Sequence, residues 1–144
     1  MVEFSRPAGR NVICLEVPGI IECMDVVLRI VSSACKLIMP GSQFTDHVVS
    51  AVGEAYSNIV LHGYAGREPG SIEMQIENSP EGMRVMMKDT GTSFDPSQTP
   101  PPDLDSLPES GLGIFIMRSF VDEVTYVPGS PNTLTLVKRL PEAA

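Results

Sequence analysis

The chain of 144 residues fits a single domain, and its 42% hydrophobic content is enough to build a real core. Eighteen acidic residues against ten basic ones give a formal net charge of −8. That excludes general nucleic-acid binding, which needs a basic footprint, and disfavours attraction to an anionic membrane. A nucleotide is not excluded, because a site neutralises phosphate locally with a metal ion, amide groups and a helix end.

The cysteines, Cys14, Cys23 and Cys35, are odd in number and contain no C-x-x-C pair. They are expected as small hydrophobes in a reducing cytoplasm, not as a disulfide framework or a zinc site. Residues 1–10 hold no apolar core of the kind a signal peptide has. No apolar run approaches the ~20 residues that span a bilayer.

In chain order, residues 11–17 read as a strand around Val12, Ile13, Cys14 and Leu15, ended by Pro18-Gly19. Residues 20–39 carry Met24, Val27, Leu28, Val31, Ala34, Cys35 and Ile38 at helical spacing. Pro40-Gly41 stops that helix, and Ser42 or Thr45 is the expected cap of the next. The second helix has apolar Val48, Val49, Val52, Tyr56, Ile59 and Val60, and is expected to end at His62-Gly63 with Gly63 as the C-cap. A turn-rich connection over 64–70 follows. Ile72, Met74 and Ile76 then alternate with Glu73, Gln75 and Glu77, and Met83, Val85 and Met87 alternate with Arg84, Met86 and Lys88. These are two half-buried strands joined by a tight hairpin link.

Residues 90–110 show no periodicity and contain Pro96, Pro100, Pro101, Pro102 and Pro108. A loop this long inside a compact domain reads as a flexible lid, over about 94–110. A short helix over 114–120 and strands over 121–127 and 133–140 complete the order. The expected fold class is an α/β two-layer sandwich: a mixed, mainly antiparallel sheet with helices on one face.

Glu54, Asn58 and His62 recur four apart on the second helix, so at ~100° and ~1.5 Å per residue they form one ridge. Alone that ridge is a solvated edge. Asp89-Thr90-Gly91 stands at a strand end, and Ser110-Gly111-Leu112-Gly113 opens a helix. D-x-G, G-x-G and E-x-x-x-N are each common; their conjunction at these element boundaries is specific.

With those motifs in place, the chain resembles the GHKL (Bergerat-fold) ATPases, and among them the bacterial anti-sigma-factor serine/threonine kinases. The resemblance rests on residues 54–64, 89–96, 111–117 and 121–124. It implies ATP with Mg2+, transfer of the γ-phosphate to a serine or threonine of a small anti-sigma-factor antagonist, capture of a sigma factor, and a homodimer.

Each position carries a chemistry of its own. Asn58 offers a hard amide oxygen, and Mg2+ takes only one or two protein ligands beside phosphates and water. Glu54, one turn earlier, is placed to accept a proton from an attacking hydroxyl, the catalytic role. Asp89 accepts a hydrogen bond from the exocyclic amine of adenine, and Gly91 lets the backbone approach the base. Gly111, Leu112 and Gly113 precede a helix whose free N–H groups favour phosphate. Thr133 corresponds to a family threonine near the phosphates, with Asn132 where a glycine often stands. His62 and Arg118 are read as a helix-end packing residue and a solvated helix-face charge.

Two features depart from the family pattern. Glu109 stands where a basic residue often meets the γ-phosphate, and the lid carries Asp95, Asp103, Asp105 and Glu109 with no Lys or Arg. Acid over a triphosphate is unfavourable unless solvated. The alternative expectation is therefore a non-catalytic module of the same fold that sequesters a regulatory partner. A histidine-kinase catalytic domain is not expected, since no helical phospho-acceptor segment precedes the fold.

Overall fold

Period-two alternation builds the sheet and helical spacing builds the layer that covers it. The chain runs through β1 (Val2–Ser5), β2 (Asn11–Pro18), α1 (Met24–Ile38), α2 (Ser42–Asn58), β3 (Ser71–Ser79), β4 (Gly82–Asp89), α3 (Glu109–Phe120), β5 (Glu123–Val127) and β6 (Asn132–Arg139). The computed structural model describes residues 1–39, 41–93 and 109–141, with the backbone alone at 42 and 109–114. The lid expected over 94–110 thus lies outside the described residues except at its end. Glu109 and Ser110 already belong to α3.

The strands lie in the order β1-β2-β3-β4-β6-β5, and each neighbouring pair is antiparallel. The mixed sheet expected from the sequence is therefore, among the described residues, an antiparallel one. The reason is the connections. β3–β4 and β5–β6 are joined by short turns, and the two helices between β2 and β3 cross and return, so β3 arrives antiparallel. β1 was not expected at all. Its four residues are exposed edge positions and show no inside–outside contrast.

One face of the sheet is covered. Along β3, Ile72, Met74, Ile76 and Asn78 are buried, and along β4 Met83, Val85, Met87 and Asp89. Above them pack Val27, Val31 and Cys35 of α1, Val52 and Tyr56 of α2 and Met117 of α3. Burying each large apolar side chain contributes ~1.5–3 kcal/mol before the entropy of ordering it is counted. The Tyr56 hydroxyl donates to the Ile20 carbonyl at 2.6 Å, pinning α2 to the β2–α1 connection. Gly41, not Ser42 or Thr45, occupies the cap position of α2; both fall inside the helix.

α3 is fastened at its far end. His47 of α2 stacks on Phe120 with ring centroids 4.5 Å apart. Lys138 of β6 donates to the Phe120 carbonyl at 2.8 Å, which places a cation at the negative end of α3.

Candidate functional site

α2 does not end as a regular helix. Directly after Asn58 it widens into a turn over Ile59–Gly63, closed by the Tyr64 N–H donating to the Ile59 carbonyl five residues back at 2.9 Å. Such wide turns inside helices gather at functional sites. No left-handed cap is formed at Gly63, whose φ is not positive. Instead its carbonyl accepts the Thr92 N–H at 2.7 Å, which ties the end of α2 to the segment after β4.

That junction explains a glycine. A Cβ on residue 91 would stand 2.5 Å from the Gly63 carbonyl oxygen and 2.6 Å from its carbonyl carbon. Gly91 is required by this backbone contact, in addition to any ligand it meets. Tyr64 closes the same corner: its hydroxyl donates to the Ser71 carbonyl at 2.8 Å and accepts the Thr90 N–H at 3.0 Å.

Asp89, the last residue of β4, is 6% exposed and points into the helix-covered side. Its Oδ1 accepts the Gly91 N–H at 2.9 Å and the Asn132 Nδ2–H at 3.1 Å. Two donors on a buried carboxylate oxygen meet part of the cost of burying it. Beside it lies a cavity of about 30 Å³ walled by Asn58, Gly63, Asp89, Thr92, Met117 and Leu134, among others. The Asn58 amide nitrogen is buried there and makes no hydrogen bond to any described residue. A buried amide nitrogen with unspent donor capacity close to a fixed carboxylate makes this cleft the candidate site.

A wider cavity of about 250 Å³ lies elsewhere, lined by Cys14, Glu73, Met86 and Lys88 among others. None of the acids in its lining is buried, so the small cleft at Asp89 is the candidate site despite its size.

The pattern of the histidine kinase-like ATPase domain matches residues 21–138. The chain belongs to the histidine kinase-like ATPase family. Over 98 residues it is 33% identical to the serine-protein kinase RsbW of Bacillus velezensis, covering 62% of this chain and 61% of that protein. It is 34% identical over 104 residues to the anti-sigma F factor of Clostridium novyi, covering 67% of this chain and 70% of that protein. The match thus spans about three fifths of the RsbW proteins' length (61%). In fold, the chain is similar to the crystal structure of the RsbU and RsbW domains of a Mycobacterium tuberculosis protein. The TM-score is 0.60 at 18% identity, over 90% of this chain and 33% of that one. A histidine kinase domain from Erythrobacter litoralis gives a TM-score of 0.52 at 16% identity, over 78% of this chain and 59% of that one. These likenesses agree with the antiparallel sheet and its single helical layer.

Within this histidine kinase-like domain, Asn58 and Asp89 meet at one cleft, with Gly91 braced behind Asp89. Glu54 is half-buried one turn before Asn58 and does not line the cleft as formed. Gly111, Leu112 and Gly113 lie inside the first turns of α3 and not ahead of it, so the free N–H groups of the helix start at Glu109. Thr133 stands elsewhere. Asn132 and Leu134 are buried on the helix side, so strand alternation turns Thr133 to the open face, paired with Lys88.

Asn132, marked in sequence only as standing where a glycine often does, proves to be bonded to Asp89. Period two marks it: with Leu134 and Leu136 inward, Asn132 must be inward as well.

Proposed function

We propose that this chain is an anti-sigma factor and an ATP-dependent protein kinase that phosphorylates a serine or threonine of a small anti-sigma-factor antagonist. The observation that carries this reading is that the braced Asp89 carboxylate and Asn58, whose amide nitrogen is buried, line one cleft where D-x-G and E-x-x-x-N come together. The relatives named serine-protein kinase and anti-sigma F factor support it.

In this reading Asp89 accepts the adenine amine. Asn58 holds Mg2+ through its amide oxygen, and the ion, when bound, neutralises and orients the phosphates. The residue types fit: one amide oxygen as a hard ligand, one buried acceptor, and the opening turns of α3 within the G-x-G for phosphate. Glu54 is the base that takes the proton from the attacking hydroxyl. Adenine is far larger than a 30 Å³ space, which is about one water, so entry widens the cleft. Thr133, on the open face, is given no contact with nucleotide.

The partners in this reading are a sigma factor, the antagonist and a second copy of the chain; nucleic acid and membrane have no part. Val2, Phe4 and Val26 are 61%, 58% and 53% exposed beside Ile13 and Ile30 along the β1 edge, an apolar surface that supports the homodimer. Among the described residues no helix is long and apolar enough to cross a membrane. We assign the chain to the cytoplasm on its three unpaired cysteines.

The second reading, a non-catalytic module that sequesters its partner, is favoured by Glu109 at the very opening of α3, where phosphate would approach. Incubation with γ-labelled ATP, Mg2+ and a purified antagonist separates the two. Label on the antagonist serine or threonine supports the kinase; stable partner binding without label supports the module.

A further inference from the structure

Asn132 is wholly buried, and its amide is used to capacity. Nδ2 donates one hydrogen to Asp89 Oδ1 at 3.1 Å and the other to the Gly91 carbonyl at 2.9 Å. Oδ1 accepts the Ser93 hydroxyl at 2.6 Å and the Gly129 N–H at 3.0 Å. A carboxamide has two donor hydrogens and two acceptor lone pairs, and all four are spent here. The amide therefore has one orientation. A hydroxyl in its place cannot serve four partners, and a carboxylate would set a second acid against Asp89.

The consequence falls on Asp89. Both of its bonds, from Gly91 and from Asn132, land on Oδ1. The carboxylate is thereby held against rotation, and Oδ2 is the oxygen left to meet a ligand. A fixed acceptor discriminates between bases. It rewards a purine with an amino group at the facing position and opposes one with a carbonyl there, since two acceptors then face each other in a buried cleft. A carboxylate free to turn loses that contrast.

We propose that Asn132 is the positioning residue that sets base selectivity, locking Asp89 so that the cleft takes a 6-aminopurine nucleotide and refuses a 6-oxopurine one. The inference rests on the assignment of Asp89 as the base acceptor. Asn132 touches no substrate and acts through Asp89. The same amide holds Ser93 and Gly129, so the segment after β4 and the turn before β6 keep register with the acid.

The test is calorimetric titration of ATP and of inosine triphosphate into wild type, Asn132→Ala, Ser93→Ala and Asp89→Asn, with thermal unfolding to check that each variant folds. Wild type should prefer ATP. Asn132→Ala should lower the ATP-to-inosine-triphosphate affinity ratio about tenfold or more, the worth of a lost hydrogen bond to a charged group. Ser93→Ala, which frees one side of the amide, should lower the ratio less and in the same direction. If Asn132→Ala weakens both nucleotides by the same factor, its role is structural only and the proposal fails. Should that variant not fold, Ser93→Ala decides, and an unchanged ratio overturns the proposal. Asp89→Asn separates the layers. An unaltered ratio there removes Asp89 as base acceptor. A collapsed ratio there with intact ratios in the other two variants sinks this inference alone. Wild type that binds neither nucleotide overturns both.

Discussion

Asn132 and Asp89 stand opposite each other across the β4–β6 pair, and the Asn132 Nδ2–H reaches Asp89 Oδ1 at 3.1 Å. The residues are adjacent strand termini at the same end of the sheet, both buried. The acid of the cleft is thus part of the sheet's own hydrogen bonding and is carried on two strands instead of one loop.

Gly91→Ala should damage both the fold and the site. Its methyl group would meet the Gly63 backbone, which has no rotamer to change. A loss of about 1–3 kcal/mol is expected, as for an overpacked core. Nucleotide affinity should fall with it, because the Gly91 N–H is one of the two donors on Asp89. Urea unfolding and calorimetry measure the two effects, and a variant as stable as wild type would contradict the close approach.

Much of this was legible beforehand, and the failures have physical causes. β3, β4 and the inward rows of α1 and α2 followed from period two and period 3.6, because burial there is one-sided. Asn58 and Asp89 were each marked by their motifs, and both line the one cleft. β1 was illegible because an exposed edge strand has no apolar alternation to read. Gly63 looks like a C-cap in sequence, whereas the helix end widens instead and the Gly63 carbonyl accepts the Thr92 N–H. Thr133 was placed by family resemblance although alternation from Leu134 turns it away from the cleft. The start of α3 was misjudged because Gly111 and Gly113 are poor helix formers, yet both lie inside the helix.

Alkaline pH should weaken the fold through Tyr56 and Cys35. Burial pushes the Tyr56 hydroxyl from its usual 10.0 to about 12 and the Cys35 thiol from 9.0 to about 11. Both folded values are raised, so the folded state holds protons that the unfolded chain releases. Their contribution to stability is complete below pH 9 and is lost as pH rises through 11 and 12. Tm measured from pH 8 upward should fall over that window. Tyr56→Phe should lower stability by about 0.5–1.5 kcal/mol near neutrality and flatten the upper part of the decline. A flat Tm profile in wild type would contradict the burial argument.

Glu54→Gln and Asn58→Ala should separate chemistry from binding. Glu54→Gln keeps the size and polarity of the side chain and removes only proton acceptance, so phosphoryl transfer should drop by about 10²–10⁴-fold while ATP affinity holds. Asn58→Ala should weaken Mg2+-dependent binding and leave metal-free binding little changed. Single-turnover transfer rates and titrations with and without Mg2+ distinguish them. Wild-type transfer by Glu54→Gln would remove the base assignment.

Phe4→Asp and Val26→Asp place charge in the exposed apolar edge formed by β1 and α1. Each should shift sedimentation from dimer toward monomer at micromolar concentration, with nucleotide affinity unchanged because the cleft lies elsewhere. A monomeric wild type would remove this surface as the dimer interface.

The most direct measurement is Mg-ATP calorimetry on wild type and Asp89→Asn. The substitution keeps an oxygen for Gly91 and Asn132 and puts an amide NH2 where the carboxylate should accept the adenine amine. Binding to wild type, weakened in the variant by about 1.5–3 kcal/mol at unchanged folding stability, is the predicted result. Equal affinity in the two proteins would mean that Asp89 does not read the base, and the nucleotide site would have to be sought away from this cleft.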